Sequence, residues 1–503
     1  MRYLLYLLLL FPLFSSAQMH DNIWLFGYGS DTNTEMFGGS TFDFSQSPPD
    51  TSSEYRNMYL DVTNASICDT EGNLLFYTNG IYIANAEHQP MEGGEGLSPS
   101  QYTDDNALWG MRLIQGALTL PHPASNNRYY LIHEPYEYPG IIDWHAPRLY
   151  YSLIDMNENM GLGAVVEKNV EIFEANLDHG KISAVKHANG RDWWVLVLGH
   201  SSNKYHRILI SDQMVQYLET QSVGNDIPNG IGQATFSPDG SKYVLYNLHH
   251  VGLGNYLNIY DFDRCSGLLS NHQQFNMIDS AWAGGIAISP SSQFLYVSSY
   301  DYIYQYDLQA SDIEASKDTV AVYDGFQIQV TPTFFLNTRF FLAQLGPDGK
   351  IYINCPGSPN ILHVIHEPDL PGEACNVEQH AIHLPTYNNS SLPNFPNYRL
   401  GALEGSPCDT LLTTSIGETT TDEMEISFFP NPAADFINID LQSAGFSEAV
   451  LSVYDLYGQV LWKQIILNGN NQVDLGTLHS GLYFFEVVLQ DRVVAIEKIN
   501  VIR

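Results

Sequence analysis

The feature of this sequence that most constrains its fold is a turn motif that recurs every 50 to 64 residues. Each copy has an apolar strand, a polar turn and a second strand rich in Tyr, Leu and Val. In the turns at 238–240 and 347–349, Pro238 and Pro347 preset φ, an Asp caps its own backbone, and a Gly takes the left-handed position. The turn markers are Gly72, Asn126, Gly190, Gly240, Ser292 and Gly349.

A repeat of this length, with about four short strands per copy, is typical of a β-propeller blade. Six blades can be traced in this way. The stretch 23–44 also has strand character, and we expect it to pair with the chain after Leu362, which would complete a seventh blade and remove exposed strand edges. The predicted fold class is all-β, with a β-propeller of seven blades in 18–408. Six or eight blades remain compatible, and two stacked β-sandwiches are the alternative that the repeat spacing disfavours.

Four segments of this region, 72–80, 261–267, 346–352 and 392–395, are similar to a family of secreted WD40-like or lactonase-like propellers. Members of this family often carry a C-terminal sorting domain. The resemblance implies the propeller fold but no settled activity.

The last 78 residues, 426–503, hold four separate motifs in order. The alternating apolar runs between them, broken by Gly, Asn and Asp, predict the strands of a small Ig-like β-sandwich. The order and spacing of the motifs resemble the type A C-terminal sorting domain of the type IX secretion system. The residues that carry the resemblance are Pro430, Asn431, Pro432, Asp455, Gly458, Gly481, Tyr483 and Lys498.

The resemblance implies that the type IX secretion machinery exports the protein across the outer membrane to the cell surface or the medium. It also implies that the sorting domain is removed by cleavage in a linker, after which the protein is released or attached to surface lipopolysaccharide. We place this linker at 409–425, where the chain is short, polar and charged. An ordinary Ig-like accessory domain is the alternative.

The N-terminus independently predicts export. A positive start at Arg2 precedes an apolar run from Tyr3 to Phe14 that is too short to span a bilayer. The small residues before Gln18 suit cleavage, so residues 1–17 are predicted to be a signal peptide. No other long apolar run occurs, and no transmembrane segment is expected.

The formal net charge of −35 argues against nucleic-acid partners, because such a chain repels phosphate backbones. Five cysteines remain after signal removal, so at least one is unpaired. We expect Cys375 and Cys408 to form a disulfide, since they flank the end of the propeller region. The other pairings stay open.

No catalytic motif stands out. His133-Glu134 and His366-Glu367 each lack the second His of a zinc-protease helix and are interpreted as surface or turn residues. No metal ligands are assigned, although carboxylates that line the central channel of a propeller could bind a cation such as Ca²⁺.

Most of the aromatic residues, including Trp193, Trp194 and Trp282, are expected in the blade cores. The segment 133–145 is the exception, because its prolines and glycine predict a long loop. Tyr136, Tyr138 and Trp144 in that loop are the candidate ligand-binding residues, since exposed rings near carboxylates suit sugars or peptides.

Three functions therefore compete. The favoured one is a non-catalytic binding module for an extracellular glycan or protein, so an enzyme is the less favoured class. The alternatives are a metal-assisted hydrolase, lactonase-like or glycan-cleaving, and a structural surface adhesin. The fold alone selects none of them.

Overall fold

The computed structural model describes residues 18–30, 36–137, 145–248, 255–277, 279, 281–282, 284–408, 425–442, 448–455, 460–489 and 492–502. They form two compact units, which divide between Leu411 and Leu412. The predicted signal peptide and nearly all of the predicted linker lie outside the described residues. Within the described part of the chain, no helix is both long and apolar enough to cross a membrane.

The described part of the first unit contains seven antiparallel sheets of three to five strands, one after another along the chain, which we call blades 1 to 7. Blade 1 consists of β1 (Ile23–Gly27), β2 (Gly39–Asp43) and β3 (Asp50–Glu54), and blade 2 of β4 (Ala65–Cys68), β5 (Leu74–Thr78) and β6 (Ile83–Asn85). Blade 3 consists of β7 (Ala117–Pro121), β8 (Arg128–His133), β9 (Ala146–Asp155) and β10 (Ala164–Leu177). Blade 4 consists of β11 (Ser183–Lys186), β12 (Trp193–Leu198), β13 (Ser202–Ile210), β14 (Val215–Tyr217) and β15 (Gln221–Ile227).

Blades 5 to 7 each have four strands. Blade 5 consists of β16 (Ile231–Phe236), β17 (Lys242–Leu248), β18 (Asn255–Asp263) and β19 (Leu268–Met277). Blade 6 consists of β20 (Gly284–Ile288), β21 (Phe294–Ser299), β22 (Tyr302–Asp307) and β23 (Asp318–Val322). Blade 7 consists of β26 (Ala343–Leu345), β27 (Ile351–Asn354), β28 (Ile361–Ile365) and β29 (Val377–His383). A hairpin of β24 (Gln327–Thr331) and β25 (Phe334–Asn337) links blades 6 and 7, and the described helices are α1 (Gln101–Asp105) and the 3₁₀ turns Asn159–Gly161, Glu314–Ser316 and Gly372–Cys375.

The first strand of each of blades 2 to 7 is the innermost one. Neighbours such as β16, β20 and β26 lie side by side around a central channel. The residues of β4 and β20 are buried throughout, whereas most residues of the outer strand β23 are exposed or half-buried. We call the end of the ring where the innermost strands begin the upper face. The end where they finish, at the recurring turns, is the lower face.

The ring closes between blades 1 and 7. The rings of Trp24 and Phe42 pack edge-on against Tyr352, with centroids 5.5 and 5.2 Å away. The expected pairing of 23–44 with the chain after Leu362 is wrong as a strand ladder, because β1 to β3 pair only with one another and β28 and β29 complete blade 7. The seven-bladed propeller itself is confirmed.

Residues 384–403, which we call the channel segment, run through the middle of the ring from the upper to the lower face. Near the upper face the Thr386 and Ser40 hydroxyls are 2.8 Å apart. Midway, the side-chain amide of Asn394 donates to the carbonyls of Ala117 and Ile182, at 3.1 and 3.0 Å. At the lower face Arg399 forms a two-pronged ion pair with Asp21, at 2.7 and 2.8 Å. The channel is therefore filled by the chain itself.

This path corrects the predicted disulfide. Cys408 is bonded to Cys265, with Cα atoms 5.5 Å apart, and Cys375 is a buried free thiol. The channel segment carries the chain to the lower face beside blade 5, where the Leu403 N–H donates to the Ala188 carbonyl at 2.8 Å. Cys375 lies in the 3₁₀ turn before β29, and the chain continues through β29 and the channel segment before it reaches Cys408. The bond closes a sequence separation of 143 residues, which stabilises the fold by about 5 kcal/mol in the chain-entropy account.

The second unit is a small β-sandwich, as predicted. One sheet has the order β30-β31-β34 and the other β33-β32-β35-β36. Its strands are β30 (Glu425–Phe429), β31 (Phe436–Gln442), β32 (Glu448–Tyr454), β33 (Val460–Leu467), β34 (Gly469–Asp474), β35 (Gly481–Leu489) and β36 (Arg492–Val501). Alternate residues of facing strands form its core, including Ile437, Ile439, Leu451, Val453 and Phe485.

Candidate functional site

The central channel offers little room for a ligand. The space left beside the channel segment is about 90 Å³, and Asp21 is the one carboxylate among the described residues that line it. Both of its oxygens are engaged by Arg399. In the described part of the chain, no three His, Cys, Asp or Glu side chains are grouped so as to hold a metal ion. The carboxylates considered for a channel cation therefore do not converge there.

In the predicted ligand loop, Tyr136 does not form an exposed aromatic surface. That ring is buried, and it packs edge-on against Tyr102 with centroids 5.0 Å apart. Helix α1 carries Tyr102 over the start of the loop, beside the buried Met111 and Leu113. The expectation that Tyr136 is exposed is wrong for this reason, while Tyr138 and Trp144 lie outside the described residues.

The first two residues of the segment 133–145 are also buried, contrary to their interpretation as surface or turn residues. His133 contacts the hydroxyls of Ser98 and Ser152 at 2.8 and 3.0 Å. Burial raises the pKa of Glu134 well above its ordinary value, which favours the neutral carboxyl. His366, in contrast, pairs with Glu378 at the surface, at 2.8 Å.

A much larger cavity of about 660 Å³ lies between blades 5 and 6. Tyr302, Tyr304 and Tyr306 alternate along β22, so their side chains share one face of the strand and form one wall. We call this cavity the aromatic groove, and the lining residues that matter below are Asp279, Tyr300, Tyr302, Tyr304, Tyr306 and Lys317.

The tyrosine wall runs from the protein core to solvent. Tyr306 is 1% exposed, Tyr304 6% and Tyr302 37%. Tyr306 is anchored by its hydroxyl, 3.3 Å from the Met277 sulfur, and by stacking on Phe275 at 6.1 Å. Tyr302 and Tyr304 stack with centroids 5.7 Å apart and planes inclined by 15°. The buried side chains of Tyr306 and Tyr304 therefore lie behind the side chain of Tyr302, which a ligand can reach.

Trp282 and Tyr300 form an aromatic pair beside the wall. Their centroids are 4.5 Å apart, and Trp282 remains 53% exposed. The segment that carries Trp282 is held to blade 5 by a 2.7 Å hydrogen bond from the Asn255 amide to the Ala281 carbonyl. The Arg339 guanidinium lies over Tyr300, 4.7 Å from its centroid, and pairs with Asp301. The Asn255–Ala281 hydrogen bond therefore supports the segment of Trp282, and Arg339 supports the ring of Tyr300.

Asp279 places a carboxylate inside the groove. Both of its oxygens are shielded from solvent. The Tyr304 hydroxyl donates a hydrogen bond to this carboxylate. Burial, and next the Asp279 charge, raise the pKa of both Tyr304 and Tyr246. The Asp279 carboxylate is therefore covered by the protein and lies behind the tyrosine wall.

Lys317 is the one cationic side chain among the described residues that line the groove. Its ammonium lies over Tyr304, 3.6 Å from the ring centroid. Burial lowers the pKa of Lys317, and the charges of Asp279 and Glu314 partly oppose that shift. No ion pair within 4.0 Å joins Lys317 and Asp279 among the described contacts.

Sequence reasoning missed this site. Trp193 and Trp194 are buried, as expected of blade cores, but the same expectation fails for Trp282. The signal that was available is the alternation of tyrosines at 302, 304 and 306, which predicts an aromatic face on one strand. Nothing in the sequence marks the groove itself, because it forms only where blade 5 packs against blade 6.

The sorting motifs meet within the second unit. The Asn431 amide donates to the Lys498 carbonyl at 2.8 Å, and the Asn500 N–H donates to the Asn431 side chain at 3.0 Å. The Tyr483 hydroxyl donates to the His479 carbonyl at 3.0 Å. The remaining motif residues are Pro430 and Pro432, which flank Asn431, Asp455, which follows β32, Gly481, which begins β35, and Gly458, which lies outside the described residues.

Comparison with solved structures finds propellers at low identity. A Bacteroides uniformis protein provisionally named 6-phosphogluconolactonase is 12% identical, with a TM-score of 0.44, and the match covers 73% of this chain and 97% of that one. The periplasmic gluconolactonase PpgL of Pseudomonas aeruginosa is 12% identical, with a TM-score of 0.34 and coverage of 74% and 96%. The Dos1 propeller is 10% identical, with a TM-score of 0.36 and coverage of 75% and 85%. These values are too low to carry any activity over to this chain.

No curated protein matches the chain in sequence. Residues 427–502 match the family model of the secretion system C-terminal sorting domain. The match spans the sandwich that carries the four motifs. The C-terminal domain is therefore a type IX secretion sorting domain, and it directs the export of this chain to the cell surface or the medium.

Proposed function

We propose that the propeller is a non-catalytic binding module that captures an extracellular glycan in the aromatic groove. The observation that carries this proposal is the tyrosine wall, flanked by the exposed Trp282. A volume of about 660 Å³ lies in the range of ligand sites. Aromatic faces suit the apolar faces of sugar rings.

The test is a glycan array probed with the exported chain, alongside a Trp282→Ala variant. Loss of an anchoring aromatic ring costs about 2 kcal/mol, which is about a 30-fold loss of affinity. Trp109→Ala is the matched control, because Trp109 is 47% exposed but lies outside the groove. Equal losses for the two variants, or no binding by the parent chain, would contradict the proposal.

The same samples distinguish the alternatives. A metal-assisted hydrolase would release product from a bound glycan and stop doing so in EDTA. A structural adhesin would stay on the cell surface, and deletion would cost the cell its attachment. Selective binding without product, dependent on Trp282, supports the capture module over both.

A further inference from the structure

We propose that the aromatic groove is one end of a longer binding track, and that the protein holds an uncharged polysaccharide along its length rather than a short oligosaccharide. This inference rests on the proposed function and names the ligand class of the same site. The track is a row of partly exposed side chains that continues from the groove across the upper end of blade 6 to the outer strand of blade 7, and its members are Trp282, Tyr300, Arg339, Tyr323, Phe326 and His380.

The first half of the track is a stack of planar side chains. Trp282 packs on Tyr300 with ring centroids 4.5 Å apart, and the Arg339 guanidinium lies 4.7 Å from the Tyr300 centroid. The same guanidinium lies 4.8 Å from the centroid of Tyr323. Arg339 therefore joins the aromatic pair beside the groove to Tyr323, which lies beyond the described residues that line the groove.

The backbone fixes the rings of this first half at one end of blade 6. Tyr300 precedes β22 and Tyr323 follows β23, and these two strands are paired antiparallel. The Tyr323 N–H donates to the Asp301 carbonyl at 2.8 Å, and the Phe340 N–H donates to the Tyr300 carbonyl at 3.0 Å. The fold of the blade therefore sets the positions of these rings before a ligand binds, which lowers the entropic cost of binding.

The second half of the track lies at the base of the hairpin β24–β25. The Tyr323 hydroxyl donates to the Phe326 carbonyl. The Phe326 ring is 38% exposed and lies 4.4 Å from the His380 ring, measured between centroids. His380 in turn contacts the Asp324 carboxylate at 3.0 Å. A ligand can therefore reach the far end of the track as well as Trp282.

The chemistry of the track suits a long, uncharged sugar chain. Aromatic rings bind the apolar faces of sugar units, and the partly exposed carboxylates of Asp301 and Asp324 can accept hydrogen bonds from sugar hydroxyls. The net charge of −35 repels acidic polymers. The groove alone, at about 660 Å³, has the size of a site for a small ligand. Rings that lead out of the groove contribute to binding only when the ligand is longer than the groove.

The experiment uses an array of uncharged glucose, mannose, xylose and galactose oligomers, each as a trimer and as a hexamer, probed with the exported chain. For the sugar that binds, we expect the hexamer to bind about tenfold more tightly than the trimer, which is the gain from one further ring contact. Phe326→Ala should lower the hexamer affinity to that of the trimer and leave the trimer affinity unchanged, whereas Trp282→Ala should weaken both. Phe326 lies at the surface, so its variant should fold.

Phe334→Ala is the matched control, because Phe334 is 54% exposed on the same hairpin but is not a member of the track. Equal affinities of trimer and hexamer, or equal effects of the Phe326 and Phe334 variants, would overturn the track and leave glycan capture intact. Trp282-dependent binding of acidic glycans alone would do the same. If no glycan of any kind bound to the exported chain, both proposals would be overturned.

Discussion

The central channel and the aromatic groove are two cavities of one ring, and they differ in what lines them. In the channel, Asn394 binds the backbone carbonyls of two blades and Arg399 engages both oxygens of Asp21. In the groove, the rings of Trp282 and Tyr302 stay partly exposed. A polar cavity whose hydrogen bonds are complete belongs to the architecture, whereas a larger cavity lined by exposed aromatic rings is suited to a ligand.

The comparison predicts that damage to the channel side should cost stability and leave groove binding alone. The largest effect is expected from Cys265→Ser combined with Cys408→Ser, which should lower the free energy of unfolding by about 5 kcal/mol because the unfolded chain regains loop entropy. Urea denaturation measures this loss. The matched control is Cys375→Ser, a buried free thiol, for which a far smaller loss is expected. Equal losses would mean that the disulfide does not hold the channel segment.

A second test removes the apolar filling of the channel. Phe395 is buried, and its ring lies 5.9 Å from Trp24 and 6.3 Å from Tyr398, measured between centroids. Phe395→Ala should lower the free energy of unfolding by about 4 kcal/mol, since a large ring is replaced by a cavity. The glycan affinity of the folded fraction should not change. A parallel fall in affinity would contradict the separation of the two cavities.

A third test uses the buried acid at the upper mouth of the channel. Burial, opposed by Arg112, raises the pKa of Asp61 from an ordinary value of 3.8 to about 6. Because the folded state holds this proton more tightly than the unfolded state, the stabilisation is present below pH 3.8 and is lost as the pH rises through about 6. Asp61→Asn should therefore be about 3 kcal/mol more stable than the parent at pH 7 and equal to it at pH 3.5.

Denaturation of both proteins across this pH range measures the difference, and it cancels the other titrating groups. Asp226→Asn is the control, because it makes the same substitution at an exposed position of blade 4. A constant difference at every pH would show that Asp61 acts through its shape or its contacts rather than its proton.

Local patterns predicted the elements of this fold, but not the contacts between distant segments. The spacing of turns such as Gly240 and Gly349 predicts blades, because each blade is a local unit, and the sorting domain follows from motifs in one short segment. The ring closure was harder to predict. The channel segment crosses several blades, and this path pairs Cys408 with Cys265 instead of Cys375.

The candidate site depends even more on long-range packing. Tyr136 looks exposed in the sequence, but a helix more than 30 residues earlier brings Tyr102 against it. Trp282 looks like a core residue, yet it lies at the junction of two blades with half of its surface free. The groove arises only when β19 and β22 meet, so no local pattern could reveal it.

The central claim is that the ligand occupies the groove and leaves the channel untouched. Hydroxyl-radical footprinting of the exported chain, with and without a saturating glycan identified on the array, tests this directly. We expect Trp282 and Tyr302 to become protected, while the similarly exposed Trp109 and the channel segment keep their reactivity. Protection at Arg399 and the lower mouth of the channel, with Trp282 unchanged, would contradict it.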